Sequence, residues 1–311
     1  VKYPTFLTFW LTLSCSQLPH ESELQIVSSP EHVVRTWTPV SRASLAMVER
    51  AEINAIPYCS AVLIAPEIAL TAAHCVEEES YSPGTQVTLS FGKGLLDEPV
   101  FWEGRFTRHE AFNAPYVEPL DFDIAYIEID GNHPQAEPID IADHEDLEEA
   151  LQNCSVREES QLAYRCPQKG PSNILIAGFG DTWSPEDKTI VSNSDGQLRQ
   201  AFTRIDRIES MENLLQQGKI FYQSPVSADP SVEILNTACR GDSGGPMLIN
   251  TLEGWKLIGI TRGSNYVSSD QQCLDGAGNY TNVVFWNNFT ISEDGVRFYE
   301  DGWIPDNVRG L

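Results

Sequence analysis

The sequence predicts an all-β protein, and three features carry that expectation. Apolar runs are short and rich in β-branched residues, at 59–64, 68–73, 86–91, 123–129, 173–178 and 255–261. Gly, Pro, Asn and Asp separate them; Asp130-Gly131 reads as a turn, and Glu253-Gly254 lies between two strand candidates as a hairpin. Helical periodicity is scarce, with one segment around 143–151. Many strands and few helices mean a sandwich or barrels. No internal repeat and no low-complexity tract interrupts the pattern.

A chain of 311 residues suffices for one large domain or two modest ones, and 41% of it is apolar, enough for a packed core. The formal charge of −25 argues against binding a phosphate backbone, which needs Lys and Arg to displace counterions. No nucleic-acid partner is expected. The acidic runs Glu77-Glu78-Glu79 and Glu145-Asp146-Leu147-Glu148-Glu149 show no EF-hand ligand ladder and read as solvated faces. Neither a metal nor a cofactor is called for.

Residues 1–16 read as an export signal. Lys2 is the positive end, an apolar stretch follows, and the small residues Ser14 and Ser16 suit cleavage after Ser16. The apolar stretch is too short to span a bilayer, and no later one approaches that length. Leu13-Ser14-Cys15 loosely resembles a bacterial lipoprotein cleavage site, which would make Cys15 a lipid anchor; plain secretion or periplasmic release is the leading expectation. Residues 17–32 read as a linker or propeptide, 33–290 as the folded domain, and 291–311 as a tail. Cys15 apart, the cysteines are Cys59, Cys75, Cys154, Cys166, Cys239 and Cys273. None forms a zinc-like C-x-x-C pair, so a disulfide framework in an oxidising compartment is expected.

The strongest local signal is Cys239-Arg240-Gly241-Asp242-Ser243-Gly244-Gly245-Pro246. A serine hydroxyl is a weak nucleophile at neutral pH and needs an adjacent base and a fixed, exposed position. Flanking glycines let the backbone turn tightly and aim N–H groups at one point, as an oxyanion hole requires. The stretch also satisfies G-x-S-x-G, the nucleophile elbow of α/β-hydrolases. By itself it points to a serine hydrolase without naming a fold.

Chain order narrows the choice. An α/β-hydrolase has its histidine after the serine, and His20, His32, His74, His109, His133 and His144 all precede Ser243. A subtilisin-like order places the acid before the histidine, and no aspartate occurs before Asp97, so His74 cannot serve there. Histidine, aspartate, serine is the order that remains. His74 ends an apolar run in Thr71-Ala72-Ala73-His74-Cys75, where Cys75 can anchor the turn. His109, in Thr107-Arg108-His109-Glu110, is the nearest rival and reads as a surface-loop residue. The acid should enter a buried strand, so as to orient the imidazole and stabilise imidazolium. Asp123 heads the alternating run Asp123-Ile124-Ala125-Tyr126-Ile127-Glu128-Ile129, whereas Asp121 lies outside it.

On these blocks the chain resembles the trypsin/chymotrypsin family of serine proteases. Thr71-Ala72-Ala73-His74-Cys75, Asp123-Ile124-Ala125 and Gly241-Asp242-Ser243-Gly244-Gly245-Pro246 occur in family order, with weaker matches at Gly178-Phe179-Gly180, Leu257-Ile258-Gly259-Ile260 and Gly278-Asn279-Tyr280. The resemblance implies two packed six-stranded antiparallel β-barrels, about 33–165 and 170–285, with a short C-terminal helix. It implies a serine endopeptidase with His74, Asp123 and Ser243 as triad and the Gly241 and Ser243 N–H groups as oxyanion hole. It implies disulfides Cys59–Cys75 and Cys239–Cys273, leaving Cys154–Cys166 as an extra one. Polypeptide substrates are the implied partners, with protein inhibitors as a second class, and a monomer is expected.

The chain departs from the family in three places. Family members free an Ile-Val-Gly-Gly N-terminus whose amino group pairs with the acid before the serine, here Asp242. The stretches available are Val33-Val34-Arg35-Thr36 and Ile26-Val27-Ser28-Ser29, and neither follows Arg or Lys. Arg262, in Gly259-Ile260-Thr261-Arg262-Gly263-Ser264, disturbs a wall that is usually Ser-aromatic-Gly and shifts its register. The tail carries Phe298, Tyr299 and Trp303 beyond the expected helix. For the primary pocket the resemblance implies Thr237 at the floor, with Arg262, Gly263, Ser264 and Gly278 along the walls. A hydroxyl at the floor predicts no preference for Arg or Lys. Two competing functions, an inactive binding homologue and a serine esterase, are separable by active-site labelling and by peptide against ester turnover.

Overall fold

Short antiparallel strands build the first half of the fold. The computed structural model describes residues 33–77, 80–96, 98–109, 112, 122–151, 155–156, 164–165, 174–184, 189–191, 196–203, 219–223, 238–265, 277–286, 289–292 and 295–298. A short helix α1 (Pro39–Ala43), capped by the Thr38 hydroxyl, leads into β1 (Ser44–Val48). With β2 (Pro57–Ala65), β3 (Ile68–Thr71), β4 (Thr85–Phe91), β5 (Val100–Arg108) and β6 (Ala125–Asp130) it closes an antiparallel barrel, in the order β1-β2-β3-β6-β5-β4. Along β5 the residues Trp102, Gly104, Phe106 and Arg108 are buried and the intervening ones are not. A β-carbon on Gly104 would lie 2.4 Å from Ile127, so the barrel interior is closed to any side chain there. Leu45, Met47, Leu63, Leu70, Leu89, Phe91 and Ile127 fill the rest.

The segment 139–142 carries the chain across to the second half. Ile139 N–H donates to Leu63 of β2 at 3.0 Å, while Ala142 N–H donates to Leu257 at 2.9 Å. Next comes α2 (His144–Leu151), opened by reciprocal bonds between Asp143 and Asp146 in the manner of a capping box. The short pairs β7 (Ser155–Val156) with β8 (Tyr164–Arg165), and β10 (Thr182–Ser184) with β11 (Thr189–Val191), flank β9 (Ile174–Gly178). Then β9, β12 (Arg199–Thr203), β13 (Lys219–Gln223), β14 (Pro246–Thr251), β15 (Gly254–Asn265) and β16 (Ala277–Asn282) form a six-stranded antiparallel sheet, ordered β12-β9-β14-β15-β16-β13. No β12–β13 pairing occurs among the described residues. A short helix α3 (Val283–Trp286) and a hairpin of β17 (Phe289–Ser292) with β18 (Gly295–Phe298) follow.

The fold is the chymotrypsin-like all-β fold expected from the sequence. The predicted hairpin at Glu253-Gly254 joins β14 to β15, with Gly254 at φ 120°. One strand starts later than expected: β6 begins at Ala125, leaving Asp123 and Ile124 in the approach to it. Among the described residues no helix is long and apolar enough to cross a membrane.

Candidate active site

Strand β3 ends at Thr71, and Ala72 stays extended before a single 3-10 turn, Ala73–Cys75, presents His74 at the barrel rim. Cys75 is bonded to Cys59 of β2, S–S 2.02 Å, tying the turn to the barrel wall. Cys59, Cys75 and His74 lie close enough together to suggest metal ligands. The disulfide consumes both thiols, and thiolate is the form that binds metal.

Asp123 is fully buried between Phe122 and Ile124. Its Oδ1 accepts the His74 backbone N–H at 2.9 Å, and its Oδ2 lies 2.6 Å from His74 Nδ1. Its own carbonyl accepts from the Thr281 hydroxyl of β16 at 2.8 Å, so the sheet of the second half holds it from behind. A carboxylate only accepts, which puts the ring proton on Nδ1 and leaves Nε2 as an acceptor. Ser243 Oγ stands 2.9 Å from that Nε2.

Ser243 sits on a loop shaped by glycines at two special conformations, Gly241 at φ 95° and Gly244 at φ 84°. A β-carbon on Gly244 would lie 2.1 Å from both Ser60 O and Thr71 Oγ1. The loop is pinned from barrel one. Ser60 N–H donates to Ser243 O at 2.7 Å, and Ser60 Oγ donates to Gly241 O at 3.0 Å while accepting Phe179 N–H at 3.1 Å. Asp242 turns inward, accepting from Gly180 N–H and Cys239 N–H at 2.7 Å each. Burial pushes its carboxyl up to about 6, against the opposing pull of those two N–H groups and the Arg199 charge. Among the described residues, no hydrogen bond leaves the Gly241 or the Ser243 N–H.

A family model described as Trypsin matches residues 39–287. The chain belongs to the trypsin family. It is 26% identical over 250 residues to Transmembrane protease serine 11A of Homo sapiens, covering 78% of this chain and 50% of that protein. Granzyme M of Homo sapiens is 25% identical over 245 residues, covering 76% of this chain and 79% of that protein. Atrial natriuretic peptide-converting enzyme of Homo sapiens is 24% identical over 234 residues, 73% of this chain and 19% of that protein. The chain thus spans half the length of the first of these relatives.

In this trypsin-family chain His74, Asp123 and Ser243 meet at hydrogen-bonding distance, although they come from three separate stretches. The alternative acid Asp121 lies outside the described residues, as do Thr237, Cys154, Cys166 and Cys273. Cys239 is disulfide-bonded. Gly263 pairs with Asn279 and Ser264 with Gly278 across β15 and β16, so these positions adjoin. Arg262 is the extra residue of a β-bulge between Thr261 and Gly263, which is the physical origin of its shifted register.

His109 needs correction. The sequence reading places it in a surface loop, yet it is 1% exposed, its ring packed 5.1 Å from Phe122 and its N–H donating to Ile124 O at 3.0 Å. Its polar sequence neighbours concealed that the end of β5 runs beneath the Asp123 approach. Desolvation holds its ring down to about 4. Ser60, Thr281 and Arg108 also support the site without being singled out in the sequence. Extending the inward positions 102, 104 and 106 of β5 by one step reaches Arg108; Ser60 and Thr281 carry no local signal.

Proposed function

We propose that this trypsin-family chain is a serine endopeptidase. The observation that carries the reading is the run of hydrogen bonds from the buried Asp123 carboxylate through His74 to the Ser243 hydroxyl. Ser243 Oγ attacks the scissile carbonyl carbon as His74 Nε2 takes its proton, and the Gly241 and Ser243 N–H groups receive the oxyanion. Asp123 fixes the tautomer and stabilises the imidazolium. His74 then protonates the leaving amine, and an acyl group stays on Ser243. Water, deprotonated by His74, releases the acyl group and restores the serine. Removing one oxyanion donor typically costs about 2.7–4 kcal/mol of transition-state stabilisation.

The substrates we infer are polypeptides cut after medium or large uncharged residues, because Thr237, the residue that the family resemblance implies for the pocket floor, carries no carboxylate. The compartment we infer is extracytoplasmic, supported by the Cys59–Cys75 bridge. A fluorophosphonate probe tests the function. Labelling of the wild-type chain, lost on Ser243→Ala, is the expected result, with peptide turnover alongside it. A folded wild-type chain that takes no label and cleaves no peptide would overturn the reading. Sequencing the N terminus of the labelled species identifies the active form.

A further inference from the structure

Arg108 is a buried cation that the chemistry above does not use. It is 6% exposed, unusual for an arginine, and stands at the last inward position of β5. Its Nε donates to Ala73 O at 3.0 Å and its Nη2 to Val76 O. Those two carbonyls bracket the 3-10 turn that carries His74. The guanidinium lies 4.2 Å from the Tyr81 ring centroid and 5.0 Å from that of Phe112, and the Tyr81 hydroxyl accepts the Arg108 N–H at 3.2 Å. Aromatic faces hold the planar cation in place and shield its bonds from water. The backbone of the same residue belongs to the acid's side of the site. Arg108 pairs with Ala125, and the next N–H, of His109, donates to Ile124 O at 3.0 Å, directly after Asp123.

We propose that Arg108 is a positioning residue for the reaction of the preceding section, fixing the turn of His74 in register with the approach of Asp123. The inference rests on that reading. The Arg108 side chain thereby holds the His74 end of the 2.6 Å contact between His74 Nδ1 and Asp123 Oδ2, while its strand, through Arg108 and His109, runs paired beside the Asp123 end. Two carbonyls on either side of a turn suit a planar fork of donors and cannot both be met the same way by a single ammonium. Displacement of a catalytic group by about 1 Å can cost about 100-fold in rate, so a modest rotation of the turn is enough to matter.

The test compares Arg108→Met and Arg108→Lys in the full chain by two readouts. One is the low-field proton resonance of His74 Nδ1–H, assigned by its loss in Asp123→Ala. It reports the contact whether or not the chain turns over peptides. The other is peptide hydrolysis. We expect Arg108→Met to shift or lose the resonance and to lower kcat about 10- to 100-fold with KM within about 2-fold. Arg108→Lys should lie between it and wild type. If Arg108→Met does not fold, Arg108→Lys alone decides by the same readouts. An unchanged resonance and kcat in a folded variant overturns the positioning role. A wild-type chain with the resonance but no hydrolysis overturns the protease reading, and this inference with it.

Discussion

Gly178 faces Asp242 so closely that a β-carbon there would lie 2.2 Å from the carboxylate Oδ1. Gly180 crowds the same group, where a β-carbon would lie 2.6 Å from its Cγ. The carboxylate cannot swing aside cheaply, because its oxygens hold the N–H groups of Gly180 and Cys239. Two glycines of β9 and its exit therefore make the space into which the residue before Ser243 folds. Gly178→Ala should push Asp242 out, break at least one of those bonds and drag Ser243 off His74. Overpacking of this kind costs about 1–3 kcal/mol. Urea unfolding and peptide turnover check it, and a variant matching wild type in both would show that the loop has slack.

Two buried groups give opposite pH dependences. Asp242 titrates in the folded chain at about 6, above its ordinary 3.8, so the folded state binds that proton more tightly. Its contribution to stability is full below about pH 4 and is lost as pH rises through about 6. His109 is held down to about 4 from 6.5, so its contribution is full above about pH 6.5 and is lost as pH falls toward 4. Each is on the order of 3 kcal/mol, and over the shared window they oppose each other. His109→Phe, which keeps a ring against Phe122, should leave stability rising on acidification from pH 6 to 4. Asp242→Asn should leave it falling more steeply than in wild type. Denaturant curves across that range separate the two, and parallel profiles for all three chains would refute burial as the cause.

What could be read in the sequence was contiguous. Thr71-Ala72-Ala73-His74-Cys75 and Gly241-Asp242-Ser243-Gly244-Gly245-Pro246 each hold a residue of the proposed triad together with the cysteine or glycines that shape its turn. The run that becomes β6 was legible for a similar reason, since its alternation is a local property; β5 alternates as well, yet it was not among the runs read as strands. The supports of the site arise instead from long-range pairing. Ser60 reaches Gly241 and Phe179, and Thr281 reaches Asp123, across separations no local pattern encodes. Arg262 was visible as an anomaly, but only pairing with β16 shows it as a bulge residue.

Ser243→Ala and His74→Ala should each abolish peptide turnover while leaving the denaturation midpoint near that of wild type, since the three side chains act as a unit. Asp123→Asn should lose about 10⁴-fold, because an amide in place of the carboxylate favours the wrong tautomer of His74. Both oxygens of Asp123 are engaged by His74, so the single amide oxygen of this variant can meet the backbone N–H or the Nδ1–H and not both. Near-normal hydrolysis by Asp123→Asn, with Asp121→Asn impaired, would transfer the acid role.

Substrate choice follows from what lines the pocket. The floor position implied by the family resemblance is Thr237, which offers a hydroxyl and a methyl where a carboxylate would be needed to hold Arg or Lys. Gly263, Ser264 and Gly278, the wall positions that the resemblance implies, adjoin across β15 and β16, and two of the three are glycines. Arg262 stands at the bulge beside Gly263, half-buried. Digestion of a peptide library by the wild-type chain should therefore cut chiefly after medium or large uncharged residues. Arg262→Ala should leave that pattern standing. A dominant cut after Asp or Glu, abolished by Arg262→Ala, would assign the pocket to Arg262. Dominant cutting after Arg or Lys would contradict both, and would require a carboxylate other than residue 237 to reach the floor.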